Sequence, residues 1–392
     1  METQDKYYKR IKFNYKMKIV HIITGLDKGG AENALYKLLK TMKDSYDLEV
    51  VCLGEEGFYS NKIIDLDISI HYLNLKNNFI SFFLGIFKIQ KILKVLKPDR
   101  VQTWMYHSDF VGGIASKLSN IKKIYWTLVT SNIKPAFLGK KTFLLVCACS
   151  LLSYIIPSKI ISVANSAIIS HKKIFYNPRI FNFIPIGFEE NIPLKEISNS
   201  SSLKLIKKNK IKGDLIIGHV ARWNPYKNQK LLIELLSILE TKKINYFCVM
   251  IGKQISNNNL DLKNYLSQYN ISEKNILLLD NVENINTYMK EFDLFILTSL
   301  GEGMPNVIGE AMSNSIPCIS SDVGDCKYLI GDTGWVFKSN NINQLISSVY
   351  KAIKLKSNKE KWIIKKKQCS ERISKYFSIN NMKDKYDKLW NE

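Results

Sequence analysis

Short aliphatic runs alternate with segments whose apolar positions repeat at three and four, from Met17 almost to the end of the chain. KIVHIIT (18–24) reads as a buried strand. The segment after it sets Ala31, Leu35, Leu38, Leu39 and Met42 at helical spacing, and LEVVCL (48–53) is the next strand. The same pattern predicts strands at 68–73, 100–104, 122–127, 160–164 and 182–186. Between 79 and 97, Phe82, Ile86, Ile89, Leu93 and Leu96 form one stripe of a helix and Lys88, Lys91, Lys94 and Lys97 the other side. That helix is either an ordinary surface helix or one lying at a membrane interface.

The composition changes after Gly187. KEISNSSSLKLIKKNKIKG (195–213) is polar and rich in Ser and Lys, and reads as a linker. The alternation then restarts, with strands predicted at 215–220, 246–251, 276–280, 293–298 and 316–320 and helices near 228–240, 306–314 and 342–355. Two successive βαβ series predict an α/β chain of two doubly wound, Rossmann-like parallel-sheet domains facing a cleft. The expected division is a basic tail over 1–16 (with Met17 an alternative start), a domain over 17–190, a linker over 191–213, a second domain over 214–373, and a terminal helix over 374–392.

Composition adds charge to this picture. The chain of 392 residues carries a net charge of +22, and the 76–179 segment holds sixteen Lys or Arg against Asp99 and Asp109 alone. Such a field favours anionic partners. The aromatic and aliphatic content of the same segment turns the reading towards an anionic membrane surface, while a bland solubilising role stays open. Phe143–Ile156, the longest apolar run, has fourteen residues and ends at Pro157, short of a membrane span and suited to a core or interfacial helix. Cys52, Cys147, Cys149, Cys248, Cys318, Cys326 and Cys369 form no CxxC pair, which fits reduced, buried thiols in a cytosolic protein and argues against a disulfide frame or a zinc site. No signal peptide is evident.

In open parallel sheets, ligands bind beyond the carboxyl ends of the strands. Four loops there carry candidate chemistry. GLDKGGAE, with Gly25, Gly29 and Gly30, opens a helix and can bring backbone amides to an anion, or be only a tight turn; it is not a GxGxxG fingerprint. MYHSDFVGG places His107 where a strand ends and a helix starts, as a functional imidazole or as a cap or core residue. ARWNPYKNQKLL holds Arg222 and Lys227 before a helix, which makes a diphosphate clamp or two solvated charges. LTSLGEGMPNVIGEAM (297–312) places Glu302 before a helix, Gly303 in the turn, Pro305 in the first helical turn, and Glu310 inside the helix. The two carboxylates then stand at different depths around an amide-rich helix start. They suit two polyol grips better than an acid–base pair, unless Glu302 merely meets the helix dipole and Glu310 the solvent. Together the loops fit a ligand with a diphosphate and two polyols, a nucleotide sugar.

In order and spacing, GLDKGGAE, ARWNPYKN and EGMPNVIGE resemble the family 4 glycosyltransferases, retaining enzymes of the GT-B fold, over roughly Met17 to Trp390. The resemblance implies a nucleotide-sugar donor, UDP- or GDP-linked, as co-substrate with no other cofactor. It implies that Arg222 and Lys227 hold its diphosphate, Glu302 the transferred sugar and Glu310 the ribose. Gly303, Met304, Pro305, Asn306 and Val307 would line the sugar and phosphates with backbone. Gly29 and Gly30 would let the first domain close on the diphosphate, His107 would lie near the sugar's 6-position, and the closing YFSINNMKDKYDKLW, similar to the family's C-terminal segment, would pack back on the first domain. No metal is expected. The implied reaction moves a hexose or N-acetylhexosamine, with retention, to a lipid-linked or polysaccharide acceptor in bacterial capsule, O-antigen or other lipopolysaccharide synthesis, by a cytoplasmic enzyme peripheral to the inner membrane.

Three rivals remain: another GT-B enzyme (an inverting transferase or a nucleotide-sugar 2-epimerase), a non-catalytic nucleotide-sugar-binding subunit, and a nucleic-acid-binding protein. The last rests on charge alone, without a binding motif, so nucleic acid is not an expected partner.

Overall fold

A computed structural model of the chain describes residues 16–76, 78–189, 200–282 and 284–392. Its first sheet is built from β1 (Lys18–Ile23), β2 (Asp47–Cys52), β3 (Ser69–Tyr72), β4 (Arg100–Trp104), β5 (Lys123–Leu128), β6 (Lys159–Ser162) and β7 (Phe181–Phe183). All pairs are parallel, in the order β3-β2-β1-β4-β5-β6-β7. The second sheet contains β8 (Leu215–Val220), β9 (Tyr246–Ile251), β10 (Ile276–Leu279), β11 (Leu294–Leu297), β12 (Cys318–Ser321) and β13 (Trp335–Phe337), again parallel, in the order β10-β9-β8-β11-β12-β13. β8 and β9 are buried along their whole length, which is why they read as largely apolar runs without alternation.

Both sheets change winding direction beside their first strand, between β1 and β4 and between β8 and β11. Those two switch points receive the four loops singled out from the sequence, because the loops come directly after β1, β4, β8 and β11. The two predicted doubly wound domains are therefore present. β13 was not foreseen, since its three residues carry too short a pattern to register.

Part of the expected linker is structured. Residues 190–199 lie outside the described residues, but Ser201–Ile211 is a helix that buries Leu203 and Ile206 in the core. Its Ser- and Lys-rich composition hid an amphipathic face one turn wide. The chain's return is also divided differently. A helix Lys359–Phe377 stops at Ser378, whose side chain accepts from Asn381 N at 3.2 Å and starts the helix Ile379–Trp390. That last helix lies on the first domain. Tyr46 donates to Asp387 at 2.9 Å, and the fully buried Trp390 ring stands 5.1 Å from Tyr46 and 5.9 Å from His21. The two crossovers between domains run side by side, with Phe188 N donating to Phe377 O at 2.8 Å and Ile379 N to Phe188 O at 3.0 Å.

All seven cysteines are free, and each except Cys147 is buried. The helix Lys140–Leu152 turns Val146 and Cys149 inward and leaves Leu144 and Leu151 exposed, so the long apolar run is a surface helix of the fold. Among the described residues, no helix is long and apolar enough to cross a membrane.

Three buried histidines give the fold an acid limit. Burial lowers His21 to about 3 and His171 and His219 to about 4, so all three stay neutral in the folded chain over a range where the unfolded chain protonates. The unfolded state then binds more protons below the ordinary histidine value of about 6.5, so stability falls as the pH drops from there towards about 4. Each histidine costs up to about 1.4 kcal/mol per pH unit in that window. Denaturant melts between pH 7 and pH 4 should show this slope, and His219→Gln should reduce it.

Candidate active site

The loop after β8 is shaped by its own side chains. Asn224 Oδ1 accepts from Tyr226 N at 2.9 Å and sets a short 3₁₀ turn, Pro225–Lys227. The loop after β11 then ties to it. Leu300 N donates to Tyr226 O at 2.7 Å and Thr298 Oγ1 to Lys227 O at 3.0 Å. This lacing brings Lys227 Nζ within 2.6 Å of Glu302 Oε1, with both side chains largely covered. Two residues separated by seventy-five positions thus form the central ion pair of the site. The Arg222 side chain is exposed into the cleft, and its backbone carbonyl is held by buried Gln229 at 2.8 Å.

Pro305 stands one residue earlier than expected. It has extended geometry (φ −74°, ψ 114°) and precedes the helix Asn306–Ser313. Asn306 and Val307 are the first two helical residues, so helical geometry alone leaves their amides without acceptors. The Met304 side chain is buried in the core, which leaves only its backbone to line a ligand. Val307 packs against the same core. The Asn306 Oδ1 atom is buried without a hydrogen-bond partner among the described residues.

The first domain meets this helix start. A methyl group placed on Gly30 would lie 3.8 Å from Asn306 Nδ2, so the glycine loop and the helix Asn306–Ser313 face each other. Glu32 folds back over Gly29, where an added Cβ would meet its carboxylate. Burial raises the Glu32 carboxyl, while its own amide and the charge of Arg222 across the cleft oppose that rise. Glu310 Oε1 lies 3.4 Å from Lys37 Nζ and 3.5 Å from Asn33 Nδ2, both on the helix Gly30–Met42. Neither residue was singled out from the sequence. The available signal was their spacing, because Gly30, Asn33 and Lys37 fall on one helical face.

His107 is the second residue of the helix Tyr106–Leu118 and stacks on Phe82 at 5.4 Å. Burial lowers its pKa, so the ring is neutral at physiological pH. Thr24 and Ser108 hydroxyls meet at 3.1 Å, which fastens this helix start to the end of β1. His107 therefore stands beside the glycine loop at the first domain's switch point. Gly303 and Gly301 face the other wall. Cβ atoms there would lie 2.3 Å from Val129 O and 3.1 Å from Asn132 Nδ2, and Ser131 Oγ donates to Glu302 O. Arg222, Lys227 and Lys37, the carboxylates of Glu32, Glu302 and Glu310, and the start of the helix Asn306–Ser313 thus line one interdomain cleft, with His107 at the first domain's switch point. This donor set can hold a polyanionic, polyhydroxylated ligand.

Residues 202–369 match the family model of the glycosyl transferases group 1. The chain is 24% identical over 392 residues to the UDP-Gal:alpha-D-GlcNAc-diphosphoundecaprenol alpha-1,3-galactosyltransferase of Escherichia coli, covering 96% of this chain and 97% of that one. It is 25% identical over 373 residues to the capsular polysaccharide biosynthesis glycosyltransferase CapH of Staphylococcus aureus, covering 93% and 96%. In structure it is similar to HepE of Anabaena, solved with UDP and with UDP-glucose; against the UDP complex the TM-score is 0.79 at 18% identity, over 96% of this chain and 100% of that one. The match over β8–β13, the full-length relatives and the two facing doubly wound sheets agree: the chain is a glycosyltransferase of the GT-B fold, and its residues 202–369 match the glycosyl transferases group 1.

Proposed function

We propose that the chain is a retaining transferase of the family 4 type, moving a hexose or N-acetylhexosamine from a nucleotide sugar to a lipid-linked saccharide during bacterial surface-polysaccharide synthesis. The observation that carries this reading is the Lys227–Glu302 pair at 2.6 Å, set at the second domain's switch point against the 129–132 segment of the first domain. A UDP-linked donor is supported by the likeness to the galactosyltransferase and to HepE, and a lipid-linked acceptor by the likeness to the galactosyltransferase.

In this reading the donor diphosphate lies on Arg222, Lys227 and the amides of Asn306 and Val307. Glu302 accepts from hydroxyls of the transferred sugar, Glu310 from the ribose, and neutral His107 bonds the sugar's 6-hydroxyl. The diphosphate shares Lys227 with Glu302. The acceptor oxygen forms its bond to the anomeric carbon on the face from which the phosphate oxygen departs, and that phosphate takes the acceptor proton. Charge developing on the phosphate is met by fixed cations and amides, so the transfer needs no metal ion.

The acceptor side fits a membrane. The helix Phe79–Leu96 exposes Ile80, Phe83, Leu84 and Phe87 on one face, and Leu144 is exposed on the helix Lys140–Leu152. Exposed Lys88, Lys91, Lys94, Lys140 and Lys141 accompany them. Apolar side chains among lysines suit the headgroup layer of an anionic inner membrane.

The test is a panel of UDP- and GDP-sugars offered with a polyprenyl-diphosphate-linked sugar and anionic vesicles. One donor should be consumed only with acceptor present, its anomeric configuration should be kept in the product, and a chelator should leave the rate unchanged. Vesicle binding should weaken as salt is raised, and Phe83→Ser with Phe87→Ser should weaken it about 10-fold or more. Donor turnover without acceptor would instead indicate an epimerase, and an inverted product the other class of transferase.

A further inference from the structure

Asp325 comes after β12 and stands at the N-cap position of the short helix Cys326–Ile330, yet its side chain makes no cap bond to that helix. Both carboxylate oxygens go to the other domain. Oδ2 accepts from Asn165 N at 2.6 Å and Oδ1 from Ser166 N at 2.8 Å. These are the first two residues of the helix Asn165–Lys173, whose own N-cap, Ala164, has no side chain able to cap it. A helix of the first domain is thus capped by a carboxylate of the second, and Asp325 is only 4% exposed.

The backbone around Asp325 points the same way. Asp325 N donates to Gly303 O at 2.8 Å. Gly324 has φ +56°, and a Cβ there would strike Glu302 O and Gly303 O at 2.3 and 2.4 Å. The residue that caps the first domain therefore also holds the carbonyl side of the Glu302–Gly303 turn. Ser131 Oγ to Glu302 O and Tyr226 Oη to Ala136 O at 2.6 Å extend the same interdomain rim.

We infer that Asp325 is a positioning residue of the transfer reaction: its carboxylate latches the acceptor-side domain, through the start of the helix Asn165–Lys173, to the turn that carries Glu302. The inference rests on the proposed reading of the cleft, since it assigns Asp325 the task of setting the distance between donor and acceptor walls. The charge-assisted pair of bonds suits this task, because each oxygen meets an amide that the helix leaves unpaired and that carries the positive end of the helix dipole. Opening of the rim exposes both amides and the carboxylate to water, so the latch can be released without leaving a buried charge behind.

The test uses the full chain as Asp325→Ala and Asp325→Asn. Hydrogen exchange on the ligand-free protein should show faster exchange of the Asn165 and Ser166 amides in Asp325→Ala, with the core strands unchanged. In transfer assays, kcat/KM should fall about 10- to 100-fold in Asp325→Ala. Asp325→Asn keeps one acceptor oxygen, so it should recover part of that loss while melting like the wild type. Unchanged exchange at 165–166, or a lower melting temperature with kcat/KM unaltered in both variants, would overturn the latch. Wild-type protein that turns over no nucleotide sugar while the exchange result holds would overturn the functional reading and leave the interdomain cap standing.

Discussion

Replacing Arg222 with alanine should lower kcat/KM for the nucleotide-sugar donor by about 10²- to 10³-fold. The side chain is exposed in the cleft, and nothing in the core leans on it, so the melting temperature should barely move. Its place in the chain explains the size of the effect. Arg222 lies just past the fully buried β8, its carbonyl is fastened by Gln229, and its charge already reaches Glu32 on the far wall. A guanidinium held there offers a diphosphate two parallel bonds, which an ammonium cannot reproduce. Arg222→Lys should therefore recover only part of the loss. The measurement is steady-state kinetics with the donor identified by the panel, beside thermal melts. A variant as active as wild type would remove Arg222 from the diphosphate site.

Gly303→Ala is expected to lose about 10²-fold in kcat/KM through geometry instead of charge. An added methyl group would lie 2.3 Å from Val129 O, a backbone atom that no rotamer change can move. Relief comes only by parting the two walls, and the Ser131–Glu302 bond and the Asp325 latch lie in the path of that movement. The cores of both domains are untouched, so circular dichroism and melting should stay close to wild type while exchange quickens across 129–131. Gly301→Ala is the control: its new Cβ meets the movable Asn132 side chain at 3.1 Å and should lose far less.

The fold was legible because a parallel sheet buries both faces of its strands. β1, β8 and β9 show this as runs dominated by apolar residues, and the helices between them show it as stripes such as Ile86, Ile89 and Leu93. Where burial is one turn wide or three residues long, as in Ser201–Ile211 and β13, composition outweighs pattern and the element is missed. The candidate site was legible to the same degree. Strand ends are visible in sequence, and Arg222, Lys227, Glu302 and His107 all lie within a few positions beyond one. Asn33, Lys37 and Asp325 carry no such mark, since none stands at the end of a strand that the pattern makes a switch point and each acts on a residue more than a hundred positions away.

Local order along the chain thus determined the two domains, the four loops and the residue types in them, since each depends on interactions between near neighbours. Tertiary structure alone decided who meets whom. Lys227 is paired with Glu302 because Tyr226 and Leu300 lace two loops together, and Glu310 faces Lys37 because the two domains are placed against each other. Asp325 turns away from its own helix because the uncapped amides of Asn165 and Ser166 are within reach. Hydrophobic periodicity records which face of an element is buried and carries no information on its distant partner; that partner is set by the packing of the whole chain.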